Sequence, residues 1–562
     1  MNTSLLKMLK YIPLLFLMLF FSEESLAQSY NSKSKKAVKC FQKAVKLFDN
    51  DKYKSLELAD KALSLDENFT DALLLKAELC HELNDDTTAL LSYERILEID
   101  SMDFPKIAIS LSKLYAEFLC FDNSIKILNW YLSLENQKKH LREIAEHQLI
   151  LSEFQKSLVE NPVNYNPINI GNVVNSSDDE YVNQFYVNDN KLIFTKKYKI
   201  NDSHYDLFEE NVFVSTLYDS VWIMPQLLLS NVNKIGAANI SYDDNKIYFS
   251  ACADPYGSCD IYYVYYENGN WSQPINIRSI NSSEWESQPC VSYDGKDLFF
   301  VRADKKLGTS DIFISHLNDN NEWSKPYCLD SVINTKGNEM APFIHHDGKT
   351  LYFSSDTHLG MGGYDLFMSQ RNDRGEWTKP QNLGYPLNTH ADEINIVISN
   401  DASTAFISSD KDDGKSYDIY KFDLDENFRP RPVELSLPSD EDLYAEKLNR
   451  QETIVLNNIY FDFDSSELSL SSETTVDLIV TMLNTYPDLK IEIIGHTDDM
   501  GDADYNIVLS KKRADAVMEA LINKGVSSDR IKTTGLGASK PLVPNDIDEY
   551  RTINRRVEIK KI

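Results

Sequence analysis

Near the C-terminus, one carboxylate and one guanidinium stand where a small zwitterion would need them. An apolar run, Ile491, Ile493 and Ile494, leads into Gly495-His496-Thr497-Asp498. A polar turn follows, then a segment with helical spacing that carries Asn506, Ser510 and Arg513. Asp498 suits an ammonium group. Arg513 suits a carboxylate, because a planar guanidinium matches two carboxylate oxygens at once. Asn506 and Arg513 lie about two helical turns apart, so they share one stripe with Ser510 between them. The Asp498 loop would open the helix, where unpaired backbone N–H groups favour an anion.

Four motifs in this region occur in a fixed order: IYFDFDSSEL (Ile459–Leu468), GHTDDMG (Gly495–Gly501), LSKKRA (Leu509–Ala514) and NRR (Asn554–Arg556). Together they resemble the OmpA-like peptidoglycan-binding domain. That resemblance implies that Asp498 and Arg513 hold the zwitterionic end of diaminopimelate in the peptidoglycan stem peptide. It assigns supporting roles to Asp462, Asn506 and either Arg555 or Arg556. It also implies a compact α+β sandwich over 451–562. The order expected is strand (454–461), helix (473–486), strand (489–494), helix (503–524), strand (531–535) and strand (555–560). An isolated His-Thr-Asp triplet would read as helix capping and surface pairing; four motifs in order favour the binding site.

Catalytic signatures are missing from the sequence. There is no G-x-S-x-G elbow, no H-E-x-x-H helix and no phosphate-cradling Walker loop. His345-His346 precedes a turn that other repeats fill with ordinary strand residues, so it reads as structural. The Asp410–Gly414 run lacks the spacing of a calcium-binding EF-hand loop. No catalytic residue, metal ligand or cofactor is assigned.

Two repeat systems precede the C-terminal domain. Over 28–160, helical phrases recur at about 34 residues, matching Ser55, Ala59 and Ala62 with Ala89, Tyr93 and Ile96, and more loosely with Ser124, Leu128 and Tyr131. This resembles the tetratricopeptide repeat, whose stacked helix pairs present a concave face to a partner. Over 161–428 a longer unit of about 50–55 residues recurs. Its turn phrase appears as Asp189-Asn190-Lys191, DDNKIYF (Asp243–Phe249), DGKDLFF (Asp294–Phe300), DGKTLYF (Asp347–Phe353) and DASTAFI (Asp401–Ile407). A second phrase begins at Asp260, Asp311, Asp365 and Asp418, and a third is Trp-x-x-Pro, as in Trp323/Pro326 and Trp377/Pro380. The pattern resembles the PD40, WD40-like propeller family, with five blades by count and six if one copy has diverged. The last copy lacks its final strand. Residues 161–177 resemble that missing phrase and would complete the blade, removing open edges.

The rest of the chain bounds the setting. Lys7 and Lys10, the apolar Leu14–Phe21 and the small-residue Ser25-Leu26-Ala27 read as a signal peptide over 1–27. The mature chain shows no run long enough to span a bilayer. Export permits disulfides, and Cys252 and Cys259 bracket a hairpin loop they could bridge. Cys40, Cys80 and Cys120 read as small core residues in helices. Residues 429–450, with Pro430, Pro432 and Pro438, read as an extended tether. The 562-residue chain has a formal net charge of −30, which argues against nucleic acid and anionic membranes as partners.

The full domain order resembles the OmpA-family envelope proteins of Bacteroidota, some of which tether type IX secretion and gliding machinery to the wall. The expected role is a non-enzymatic periplasmic adaptor. It would be bound to peptidoglycan, associated with the outer membrane and partnered by periplasmic or outer-membrane proteins. The alternative is a propeller-based periplasmic hydrolase or glycan-binding protein tethered to the wall. The usual lipidation Cys and an extra small β domain of the tethering members are not visible.

Overall fold

A computed structural model describes residues 30–562, apart from 101–104, 136, 187–189, 201–207, 231, 233, 253–257, 268–269, 411–415, 434–438, 457–458, 460, 462–464 and 470–471. The expected signal segment therefore lies outside the described residues, as does Asp462. The chain divides into two compact units. One holds the residues up to Pro162 with Leu359–Met361 and Gly384–Pro386; the other holds the remainder.

The first unit is built from the helices α1 (Lys35–Val45), α2 (Lys52–Leu65), α3 (Thr70–Glu82), α4 (Asp86–Asp100), α5 (Ile107–Glu117), α6 (Phe121–Ser133) and α7 (Lys139–Glu160). Each packs on the next. All nine residues aligned by the repeat are buried, on α2, α4 and α6. The small residues at equivalent sites have a polar job: Ser55 Oγ donates to Ala44 O at 2.7 Å and Ser124 Oγ to Ser112 O at 2.8 Å. Ala44 lies in the last turn of α1, and Ser112 lies midway along α5. Cys80 is buried, but Cys40 is only partly so and Cys120 is exposed. Cys120 stands at the N-cap of α6 rather than inside it, which corrects its reading as a core residue.

In the second unit, the described residues between 168 and 423 form five antiparallel sheets, none of them closed on itself. Their opening strands are Asp179–Tyr186, Ile235–Ile240, Trp285–Val291, Glu339–Ile344 and Glu393–Ile398. Each opening strand contacts the next, and the first contacts the fifth. One cavity is lined from all five, by Val182, Ala237, Gln288, Ala341 and Asn395 among others. The fifth sheet takes its outer strand from far back in the chain: Ile168 and Asn169 pair with Lys421 and Tyr420. Cys252 is bonded to Cys259 across a hairpin of the second sheet.

A device that the sequence reading passed over joins these sheets. Among the described residues, four asparagines each accept from the N–H and donate to the C=O of one residue in the third strand of the preceding sheet. The pairs are Asn175 with Ile419, Asn281 with Ile261, Asn334 with Ile312 and Asn388 with Leu366, all at 2.8–2.9 Å. The Ser or Thr that follows each asparagine binds a buried glutamate four residues on: Glu180, Glu286, Glu339 or Glu393. The pattern N-[S/T]-x-x-x-E is thus a joint between sheets. The recurring turn aspartates also serve structure; Asp243, Asp294 and Asp401 each accept from the serine two residues earlier.

Glu180 and Glu286 face Lys196 and Arg302 across the sheet, whereas Glu339 faces Ser355. Burial pushes the Glu339 pKa up to about 7, against hydrogen bonds from Thr335 and Ser355 that oppose it. The unfolded chain ionises near 4.5, so over this interval the native state holds the extra proton. Stability from this group is complete below the unfolded value and is lost as pH rises through about 7. Glu339→Gln should therefore lose about 2–3 kcal/mol less than the parent between pH ~5 and ~8. Chemical denaturation at the two pH values measures this, and parallel pH profiles for the two proteins would refute it.

The C-terminal domain begins with α8 (Asp440–Asn449), followed by β1 (Ile454–Val455), α9 (Glu473–Thr485), β2 (Ile491–Gly495), α10 (Ala503–Asn523), β3 (Ile531–Gly535), α11 (Asp548–Asn554) and β4 (Val557–Lys561). The sheet order is β1-β4-β2-β3, with β2 and β3 parallel and the other pairs antiparallel. Ile491, Ile493, Val517, Leu521 and Ile559 fill its core. The helix α8 corrects the tether reading. Ser439 caps it, three acidic residues occupy its first turn, and Ala445 and Leu448 join the core. No helix among the described residues is long and apolar enough to cross a membrane.

Candidate functional site

Strand β2 carries the site to the edge of the sheet. All five of its residues are buried. Gly495 ends it because a Cβ there would fall 2.0 Å from the Ser510 carbonyl oxygen, so only glycine lets strand and helix approach. The next residues are pinned by backbone: His496 N–H donates to Arg556 O at 2.9 Å and Thr497 N–H to Gly537 O at 3.1 Å. Asp498 follows with its direction fixed.

The Asp498 carboxylate is 6% exposed. Its Oδ1 accepts from Met500 N–H at 3.1 Å and its Oδ2 from Arg555 Nη1 at 2.6 Å. A carboxylate offers about four acceptor positions, so these two bonds leave capacity for an ammonium. Asp502, not the Asp498 loop, caps α10: its Oδ1 accepts from the N–H groups of Asp504 and Tyr505. The expected anion site at that helix end is taken by the chain's own carboxylate.

Asn506, Ser510 and Arg513 form one buried stripe on α10. Asn506 Nδ2 donates to Met500 O at 2.9 Å, which makes it a brace for the Asp498 loop. Ser510 Oγ donates to Ile507 O and accepts from Gly537 N–H, each at 2.9 Å. Arg513 is 2% exposed. Its Nε donates to Ser465 O at 3.0 Å and its guanidinium lies 5.1 Å from the Phe461 ring centre. Both contacts come from the IYFDFDSSEL segment. These contacts fix the direction of the guanidinium, whose planar fork suits a carboxylate.

The two adjacent arginines part company. Arg555 reaches Asp498 and Thr552. Arg556 turns the other way, into a buried pair with Glu558 and a bond to Lys540 O. His496 Nε2 lies 3.3 Å from Glu558 Oε2 but out of line for a hydrogen bond. Burial lowers the His496 pKa despite that carboxylate. Of the two arginines, Arg555 is the one that touches Asp498. Asn554, which the sequence reading used only as part of a motif, is fully buried and holds the turn before these arginines. His345, by contrast, braces a turn of the fourth sheet, accepting from Asp347 N–H with Nδ1 and reaching Ser399 O with Nε2.

Comparison with known proteins places this domain. Residues 460–555 match the OmpA family. Over 103 residues the chain is 42% identical to the probable lipoprotein YiaD of Escherichia coli, covering 18% of this chain and 47% of that protein. Over 100 residues it is 36% identical to the peptidoglycan-associated lipoprotein of Mesorhizobium japonicum, covering 18% and 60%. The match therefore spans about half the length of these two relatives. Among solved structures, the peptidoglycan-associated lipoprotein from Burkholderia pseudomallei is 32% identical, with 18% of this chain and 88% of that chain covered and a TM-score of 0.18. The C-terminal domain is an OmpA-family domain.

Proposed function

We propose that this protein is a non-enzymatic envelope adaptor that grips peptidoglycan through its C-terminal domain. The observation that carries the reading is the Asp498 carboxylate, buried and aimed by Met500 N–H and Arg555, on the same frame as the buried Arg513 guanidinium. One relative is the peptidoglycan-associated lipoprotein of Mesorhizobium japonicum, which supports the same assignment. In this reading Asp498 receives the ammonium of diaminopimelate, and Arg513 receives its carboxylate. Asn506 and Ser510 keep the loop and helix in register, and Arg555 orients Asp498.

The helical unit is read as tetratricopeptide repeats and the five sheets as a five-bladed propeller, both presenting surfaces to periplasmic or outer-membrane proteins. Tethering of type IX secretion or gliding machinery is the finest form of this proposal. The test is co-sedimentation of the full chain with purified peptidoglycan. Diaminopimelate-type wall should retain it, and free meso-diaminopimelate should release it. Lysine-type wall, which lacks the second carboxylate, should bind about tenfold or more weakly, the worth of one charge-assisted contact. Equal retention by both walls would overturn the assignment.

A further inference from the structure

The first sheet of the second unit touches the C-terminal domain at Leu542, in the segment that Asn554 binds just before Arg555. Strand Phe208–Tyr218 returns through a tight hairpin to Val221–Trp222, with Asp219 and Ser220 in the left-handed region. Just past the hairpin, Met224 N–H donates to Leu542 O at 2.7 Å. Tyr218 Oη lies 3.5 Å from Leu456 O. A short series of bonds runs inward from there. Leu542 N–H and Val543 N–H donate to Asn554 Oδ1 at 2.7 and 3.2 Å, and Asn554 Nδ2 donates back to Val543 O at 2.8 Å. The next residue is Arg555, whose Nη1 meets Asp498 at 2.6 Å. The contact is reinforced nearby: Arg450 donates to Asp244 O at 2.8 Å and lies over the Tyr266 ring, and Lys191 pairs with Glu452 at 3.2 Å.

The geometry points to the hairpin as a positioning element of the wall site. Met224, Leu542 and Asn554 hold the turn from outside, so that Arg555 keeps Asp498 facing its ligand. The inference rests on the wall-binding reading and adds a regulation to it. Whatever engages or displaces the first sheet changes the grip on peptidoglycan, and the grip changes the hairpin in return, since coupling between sites is reciprocal. An unpropped domain would be free to sample turns in which Arg555 leaves Asp498, and the competent fraction would set the apparent affinity.

The experiment uses the full chain and the soluble tripeptide L-Ala-γ-D-Glu-meso-diaminopimelate as probe, read by calorimetry. Met224→Pro removes the N–H donor at a position already followed by Pro225. It should weaken binding about fivefold or more. In an Arg555→Ala background the same change should have no further effect, because both act through one group. Additive losses, or parental affinity for Met224→Pro, would overturn the inference. Asp498→Ala is the separate control: parental affinity in that variant would refute the wall-binding reading itself. Should Met224→Pro fail to fold, hydrogen exchange on the unmodified chain decides. Tripeptide binding should slow exchange at the Met224 amide, and unchanged exchange there would refute the coupling.

Discussion

Replacing Asp498 by alanine is expected to lower affinity for diaminopimelate-type peptidoglycan by about a hundredfold or more, the cost of truncating one member of a buried charged contact. The loss has two physical parts. The ligand ammonium would enter a site with no anion to replace its hydration. The Arg555 guanidinium, now without Asp498, would add a repelling charge beside it. Asp498→Asn separates these parts from the fold, since an amide oxygen can still accept from Met500 N–H. Binding should be lost in both variants, while the asparagine variant keeps the parental unfolding transition. Arg513→Lys is the matching change on the other side. It keeps the charge but loses the forked geometry and the Nε bond to Ser465 O, so a weaker, intermediate grip is expected. Sedimentation of Asp498→Asn with the wall at the parental level would remove the carboxylate from the mechanism.

Why these residues were readable, and others were not, follows from what each leaves in the chain. Asp498 and Arg513 sit in motifs whose order is itself informative. The choice between Arg555 and Arg556 was not readable from the motif alone. In the structure the two side chains go to different partners. Arg556 pairs with Glu558, two residues on, whereas Arg555 reaches Asp498. The Glu at 558 was a usable signal. The acidic run at 440–442 was likewise a signal misread. Among prolines it looked like solvated linker, yet Ser439 followed by acidic residues is a helix start, because side-chain oxygens and negative charge satisfy free N–H groups there. The helix α11 was missed for the same reason, with Asp548 and Glu549 in its first turn. The turn phrase and Trp-x-x-Pro were visible because they recur with large or constrained side chains. The asparagine joints recur just as regularly, but Asn in a loop is so common that the repeat drew no notice.

Those joints set the second large expectation, Asn388→Ala. The Asn388 side chain is fully buried and makes bonds at 2.8–2.9 Å to Leu366 N–H, Leu366 O and Asn382 Oδ1. Alanine leaves the Leu366 donor and acceptor unsatisfied in a place water reaches poorly, which costs about 1–3 kcal/mol for each group. A loss of about 3–5 kcal/mol from the sheet-bearing unit is expected, measured by chemical denaturation. Asn320→Ala, at an exposed turn, should stay within about 0.5 kcal/mol of the parent. The companion variant Asn175→Ala adds a test of architecture. Asn175 joins the first sheet's lead-in to Ile419 of the fifth, so in an open row of sheets it would tie only the two ends. In a ring every sheet has two neighbours, and this joint is equivalent to the one at Asn388. Comparable destabilisation by the two changes, with one cooperative transition in each, is therefore the expected result. A mild effect of Asn175→Ala beside a severe effect of Asn388→Ala would mean that the first and fifth sheets touch without sharing the load.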